Sequence, residues 1–172
     1  MSQTLLNLLE QSIRQRNPVL ADALQPGLPE EQIREVLRRA KVEGEIEPIV
    51  CLFSWKNGTQ IDFGATLNEM SPFPGTIYTL RDLKTMTEDF IMFHQSIVFH
   101  PQFAESDGRY FPIFWDNSTS YLAVDLKSSG GRVVLLEPEG EELARTAYNS
   151  FEDFLKDAIR ANQEDERLMC FE

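Results

Sequence analysis

Cysteine is scarce: only Cys51 and Cys170 occur among 172 residues, too few for a disulfide framework. Cys51 sits in an apolar run and reads as a small buried hydrophobe. Basic residues are also few, 16 against 28 acidic ones, giving a formal net charge of −12. That balance repels a phosphate backbone and excludes a nucleic-acid partner from expectation. The same charge attracts a basic protein and speeds its approach. Long apolar runs are missing. None approaches the ~20 residues a membrane span needs. The opening MSQTLLNLLEQSIRQRNP lacks the basic-then-apolar order of a signal peptide. These absences point to a cytoplasmic, reducing setting without a membrane partner.

Sequence motifs for chemistry are thin as well. His94 and His100 are the only histidines, with no HxxxH or HExxH spacing and no CxxC, so no metal site is expected. There is no GxSxG, no GxxxxGK[ST] and no GxGxxG, and no cofactor is implied. A set such as Ser96 or Ser118 with a histidine and Asp116 would require three-dimensional assembly. The carboxylates Glu137, Glu139, Glu141 and Glu142 flank Pro138 and Gly140. They read as a solvated turn unless one is buried with a raised pKa.

What the chain does have is alternating secondary-structure signals. Leu5, Leu6, Leu9 and Ile13 stripe a short helix over 2–16 that Asn17-Pro18 ends. Ile33, Val36, Leu37 and Ala40 stripe a second helix. Pro29 and two glutamates open it, three basic residues close it, and Gly44 is its expected stop. A helix over Glu45–Trp55 meets Asn57-Gly58, whose positive φ is expected to reverse the chain into a strand through Thr59, Ile61 and Phe63. Thr79 with Asp82 resembles a capping box opening a helix over 79–93. The period then becomes two, in candidate strands Tyr110–Trp115, Tyr121–Leu126, Arg132–Leu136 and Leu143–Tyr148. In the second, Leu122, Val124 and Leu126 face one way, and Tyr121, Ala123 and Asp125 the other. Ser150 with Asp153 caps a last helix with Phe151, Phe154, Leu155 and Ile159 on one face. The chain from Asn162 onward is polar and expected to fray. The fold class is α+β: N-terminal helices, an antiparallel β-meander with helices packed on it, and a closing C-terminal helix, in one domain over 1–172.

The order of these features resembles the SUKH superfamily, which includes fungal cell-wall-synthesis regulators and many bacterial immunity proteins. The residues that carry the resemblance are Trp55, Asn57 and Gly58, then Phe111-Pro112-Ile113 with Trp115 and Asp116. Tyr121 through Asp125-Leu126, Gly131-Arg132-Val133, and Ser150-Phe151 with Phe154-Leu155 complete it. It covers roughly residues 28–160, with 1–24 as a helical addition. The resemblance implies a non-enzymatic binding domain, often one that neutralises a secreted polymorphic toxin. Trp55, Asn57, Gly58, Trp115, Asp125, Phe151 and Phe154 are then marks of the fold. Asp125 is either an acceptor that stabilises a turn or part of a surface. A surface for a basic toxin domain is expected on acidic loops and exposed strand positions: Asp116, Tyr121, Glu137, Glu139 and Glu141. Two other readings stand beside this one. The first is an intracellular scaffold or regulator of an endogenous protein. The second is a small enzyme using the acidic residues or the two histidines.

Overall fold

Helix α1, Ser2–Arg16, turns its Leu6, Leu9, Ser12 and Ile13 inward, as its four-residue spacing requires. In the computed structural model, which describes residues 2–60, 66, 69–95, 108–137 and 142–171, α1 lies along the C-terminal helix. Its leucines belong to the same core as the rest of the chain. The segment outside the family resemblance is therefore an integral layer of the core. Asn17 caps the short helix α2, Pro18–Ala23, by accepting from the Leu20 N–H. A brief strand β1, Leu24–Pro26, follows.

Helix α3, Glu30–Arg39, does not stop at Gly44. Lys41 takes the left-handed conformation at φ 56°. The Val42 N–H returns to Leu37 O at 3.0 Å and the Lys41 N–H to Arg38 O at 3.1 Å. This is a Schellman ending. Gly44 serves a different purpose: a Cβ there would lie 2.2 Å from the Leu126 carbonyl oxygen, which accepts from the Glu45 N–H.

Helix α4, Glu47–Trp55, passes straight into strand β2, Lys56–Thr59, which pairs antiparallel with β1. Lys56 is already extended. The Asn-Gly pair therefore lies inside a strand and makes no reversal. Trp55 is buried at the corner and donates its indole N–H to Glu10 at 3.1 Å, while Lys56 pairs with the same carboxylate at 2.9 Å. The expected strand positions Ile61, Asp62 and Phe63 lie outside the described residues. Residues 70–78, with Pro72, Pro74 and Gly75, run without regular structure and bury Met70 and Phe73.

Helix α5 spans Leu83–Gln95, starting later than the Thr79 box implies. Thr79 instead bridges Trp115 through paired backbone hydrogen bonds. Asp82 is the cap, accepting from the Thr85 N–H at 3.1 Å. Strands β3 (Tyr110–Trp115), β4 (Tyr121–Asp125), β5 (Val133–Leu136) and β6 (Ala144–Tyr148) form an antiparallel sheet in chain order. The last helix α6, Phe151–Glu164, is capped by Ser150, which accepts from the Asp153 N–H.

The sheet separates two apolar clusters. Leu122, Val124, Val133 and Leu135 join the main core with Phe151, Phe154 and Leu155. On the other face Tyr121, Ala123, Val134 and Leu136 pack with Phe93 of α5. The alternation read in β4 holds, and both faces of that strand are buried. No helix among the described residues is long and apolar enough to cross a membrane.

A candidate interaction surface at one end of the sheet

Both faces of the central strands are covered, so the sheet meets solvent at its ends and along the edge strand β6, where Arg145 and Thr146 are exposed. The antiparallel order brings the end of β3, the start of β4, the end of β5 and the start of β6 to one end. Asp116, Tyr121, Glu137 and Glu142 therefore belong to the same end, although 26 positions separate the first from the last (142 − 116). Glu139 and Glu141 lie outside the described residues, between Glu137 and Glu142.

Asp116 is half-exposed and organises the β3–β4 turn. Its Oδ1 accepts from the Ser118 N–H at 2.8 Å and the Ser120 N–H at 3.0 Å, the local bonding that suits aspartate to turns. Asn117 follows with φ 63° and donates its side-chain N–H to the Ile77 carbonyl, tying this turn to the 70–78 segment. Glu137 is half-buried, and its N–H donates to Leu143 O at 3.0 Å, closing the neck of the β5–β6 turn. Glu142 is exposed.

Tyr121 does not meet solvent as expected for a partner-binding strand position. It is 7 % exposed and packs edge-on against Phe93 at 5.1 Å. Burial pushes its phenol pKa well up, reinforced by the nearby Asp89 charge. Asp89 pairs with Arg81 at 3.2 Å. Burial also raises the Asp89 carboxyl pKa, an effect Arg81 opposes. Arg81 in turn lies 4.6 Å over the indole of Trp115, a cation–π contact. Trp115 donates its ring N–H to Ser118 O at 3.0 Å. These four side chains brace the turn from beneath.

The apolar part of this end comes from residues that pattern reading left aside. Ile77 is 39 % and Met169 56 % exposed. Tyr78 is buried and stacks on Phe171 at 5.3 Å. Burial pushes the Tyr78 pKa up, the negative charges of Asp116 and Glu137 push it further, and Arg145, exposed on β6, opposes them. Phe171 of the C-terminal turn thus stacks on the residue next to Ile77, whose carbonyl accepts from Asn117 of the β3–β4 turn.

Of the fold-marking residues only Trp115 sits at this end. Asp125 is wholly buried at the far end of β4 and accepts two bonds from Arg109, at 2.8 and 2.7 Å, and one from the Lys127 N–H at 3.1 Å. It is the turn-stabilising acceptor, not a surface group. Asn57 accepts from the Leu83 N–H at 2.9 Å, so it caps α5 from a distant strand. Phe151 and Phe154 are buried in the main core.

For the enzyme reading, a polar cleft of ≈ 350 Å³ lies between β2 and the start of α5, lined by Gln25, Asn57, Gln60, Thr79, Arg81 and Asp82 among others. Asn57 and Asp82 there already spend oxygens on capping α5. His94 stacks edge-on with Phe90 at 4.5 Å and lies 3.4 Å from Tyr110 O; His100 and Ser96 lie outside the described residues. Among the described residues no group of three or more His, Cys, Asp or Glu side chains is placed to hold a metal ion. The chain matches no protein-family model and none of the curated proteins.

Proposed function

We propose that this chain is a protein-binding domain of the immunity type, whose acidic sheet end covers a basic toxin domain. The observation that carries the reading is the placement of Asp116, Glu137 and Glu142 at one sheet end, where the carbonyl of the exposed Ile77 accepts from Asn117 and Phe171 stacks on the adjoining Tyr78. A polar rim around an apolar patch is the usual anatomy of a protein interface. The net charge of −12 adds long-range attraction for a basic partner. The resemblance of the motif order to the SUKH superfamily points to the same class.

A tagged form of the chain, expressed in its native host and recovered at low salt, tests this. The expected result is a basic toxin-domain protein in near-stoichiometric yield, whose toxicity co-expression of this chain relieves. Recovery of a housekeeping protein with no toxic activity would move the assignment to an intracellular regulator.

A further inference from the structure

The chain does not leave the domain after α6. Asp165 takes φ 55°, and the Glu166 N–H returns to Ala161 O at 3.0 Å. The Arg167 side chain then lies against Gly75. Leu168 is fully buried, and Met169–Phe171 form a short 3-10 turn. One buried carboxylate holds this turn from below. Asp157 accepts from the Met169 N–H at 2.8 Å, the Tyr148 O–H at 2.6 Å and Arg160 Nε at 2.8 Å. Arg160 also donates to Arg167 O at 2.8 Å. The outer side of the turn presents Met169 to solvent and sets Phe171 on Tyr78.

We propose that the C-terminal turn Leu168–Phe171 is a clamped strap that supplies the apolar half of the sheet-end surface. The segment that fits it alternates basic and apolar side chains. This rests on the protein-binding reading above. The match is one of charge and surface type together. Lysine or arginine meets Asp116 and Glu137, while an intervening apolar side chain meets Met169 and Ile77. Methionine suits such a site because its unbranched thioether adapts to different shapes. Asp157 is a positioning residue: it touches no partner and sets where Met169 stands.

The test uses the full chain and a fluorescein-labelled peptide of alternating lysine and leucine, with binding read by anisotropy at low salt. Met169→Ser changes only the exposed face, Asp157→Asn loosens the clamp, and Asp116→Asn with Glu137→Gln removes charge. Trypsin cleavage after Arg167, followed by mass spectrometry, reports release of the strap independently of binding. Expected are faster cleavage in Asp157→Asn and binding weakened about tenfold in both strap variants, tenfold being a factor of ten in Kd. If the charge variant weakens binding while Met169→Ser binds as the parent does, the strap proposal is overturned and the acidic-surface reading stands. Unchanged binding in every variant overturns both. Concentration-dependent self-association lost in Met169→Ser would assign the patch to a second copy of the chain and overturn the proposal as well.

Discussion

Asp125 and Asp89 are both paired with arginine, yet their carboxyl pKa values move in opposite directions. Burial opposes ionisation of Asp125, but the hydrogen bonds from Arg109 and the Lys127 N–H, with Arg132 at 3.8 Å, win and hold its pKa below the ordinary range. A folded pKa below the unfolded one gives stability that is present above about pH 4, the unfolded aspartate value, and lost as pH falls through the folded pKa. Asp125→Asn is expected to cost about 1.5–3 kcal/mol, the range for hydrogen bonds to a charged group, because Arg109 and Arg132 are themselves part-exposed and can turn to water. Urea unfolding at pH 7 measures that cost, and the variant should show a shallower acid loss than the parent. At Asp89 burial wins over a single ion pair and the pKa rises. There the folded state holds the proton more tightly, so its contribution is fully present below about pH 4 and declines as pH rises through the folded pKa. Asp89→Asn should therefore flatten the decline in stability above pH 4, the opposite sign from Asp125→Asn in the same titration.

At the scale of elements, the corner from α4 to α5 depends on two neighbouring residues of different kinds. Asn57→Ala removes the acceptor for the Leu83 N–H, and loss of a cap costs about 1 kcal/mol. Gly58→Ala should cost more. Gly58 holds φ 97°, and a Cβ there would lie 2.9 Å from the Asp82 backbone nitrogen, so strand and helix start must separate. Thermal unfolding of the two variants gives the order, and equal losses would show that the close approach relaxes freely. This corner also marks the limit of pattern reading. Helix α4, the four sheet strands and the Ser150 cap are local signals, set by period and capping chemistry, and they appear where the spacing puts them. Asn57 looks like half of a turn because its partner, Leu83, lies 26 residues on (83 − 57), and local periodicity carries no trace of that bond. Asn162 looks like the start of a frayed end but is buried. It donates to Pro72 O and Ala158 O and accepts from Arg16, because α1 and the 70–78 segment fold over it. Tyr121 reads as exposed from alternation alone. Its burial follows from α5 crossing the second face, a tertiary fact. The joint placement of Asp116 and Glu137 was legible in principle, since a meander returns alternate turns to the same end.

For the whole molecule, the question is whether total charge or its placement governs association. A net charge of −12 attracts any basic protein, and steering alone can lift association from about 10⁵–10⁶ to 10⁸–10⁹ M⁻¹s⁻¹ at low salt. Placement matters only at short range, because the Debye length is about 10 Å at 0.1 M salt. Two double variants separate the effects. Glu137→Gln with Glu142→Gln neutralises two carboxylates at the sheet end. Glu31→Gln with Glu43→Gln neutralises two exposed carboxylates elsewhere. Each reduces the net charge by two, so general attraction falls equally in both. If the sheet end is the contact surface, the first pair should slow association with the partner about tenfold at low salt and flatten its salt dependence, since close charges set orientation as well as encounter. The second pair should produce a smaller, general slowing. Stopped-flow rates from low salt to 0.15 M decide it. Equal slowing by both pairs would mean that the protein's overall field attracts the partner while its contact surface lies away from Glu137 and Glu142.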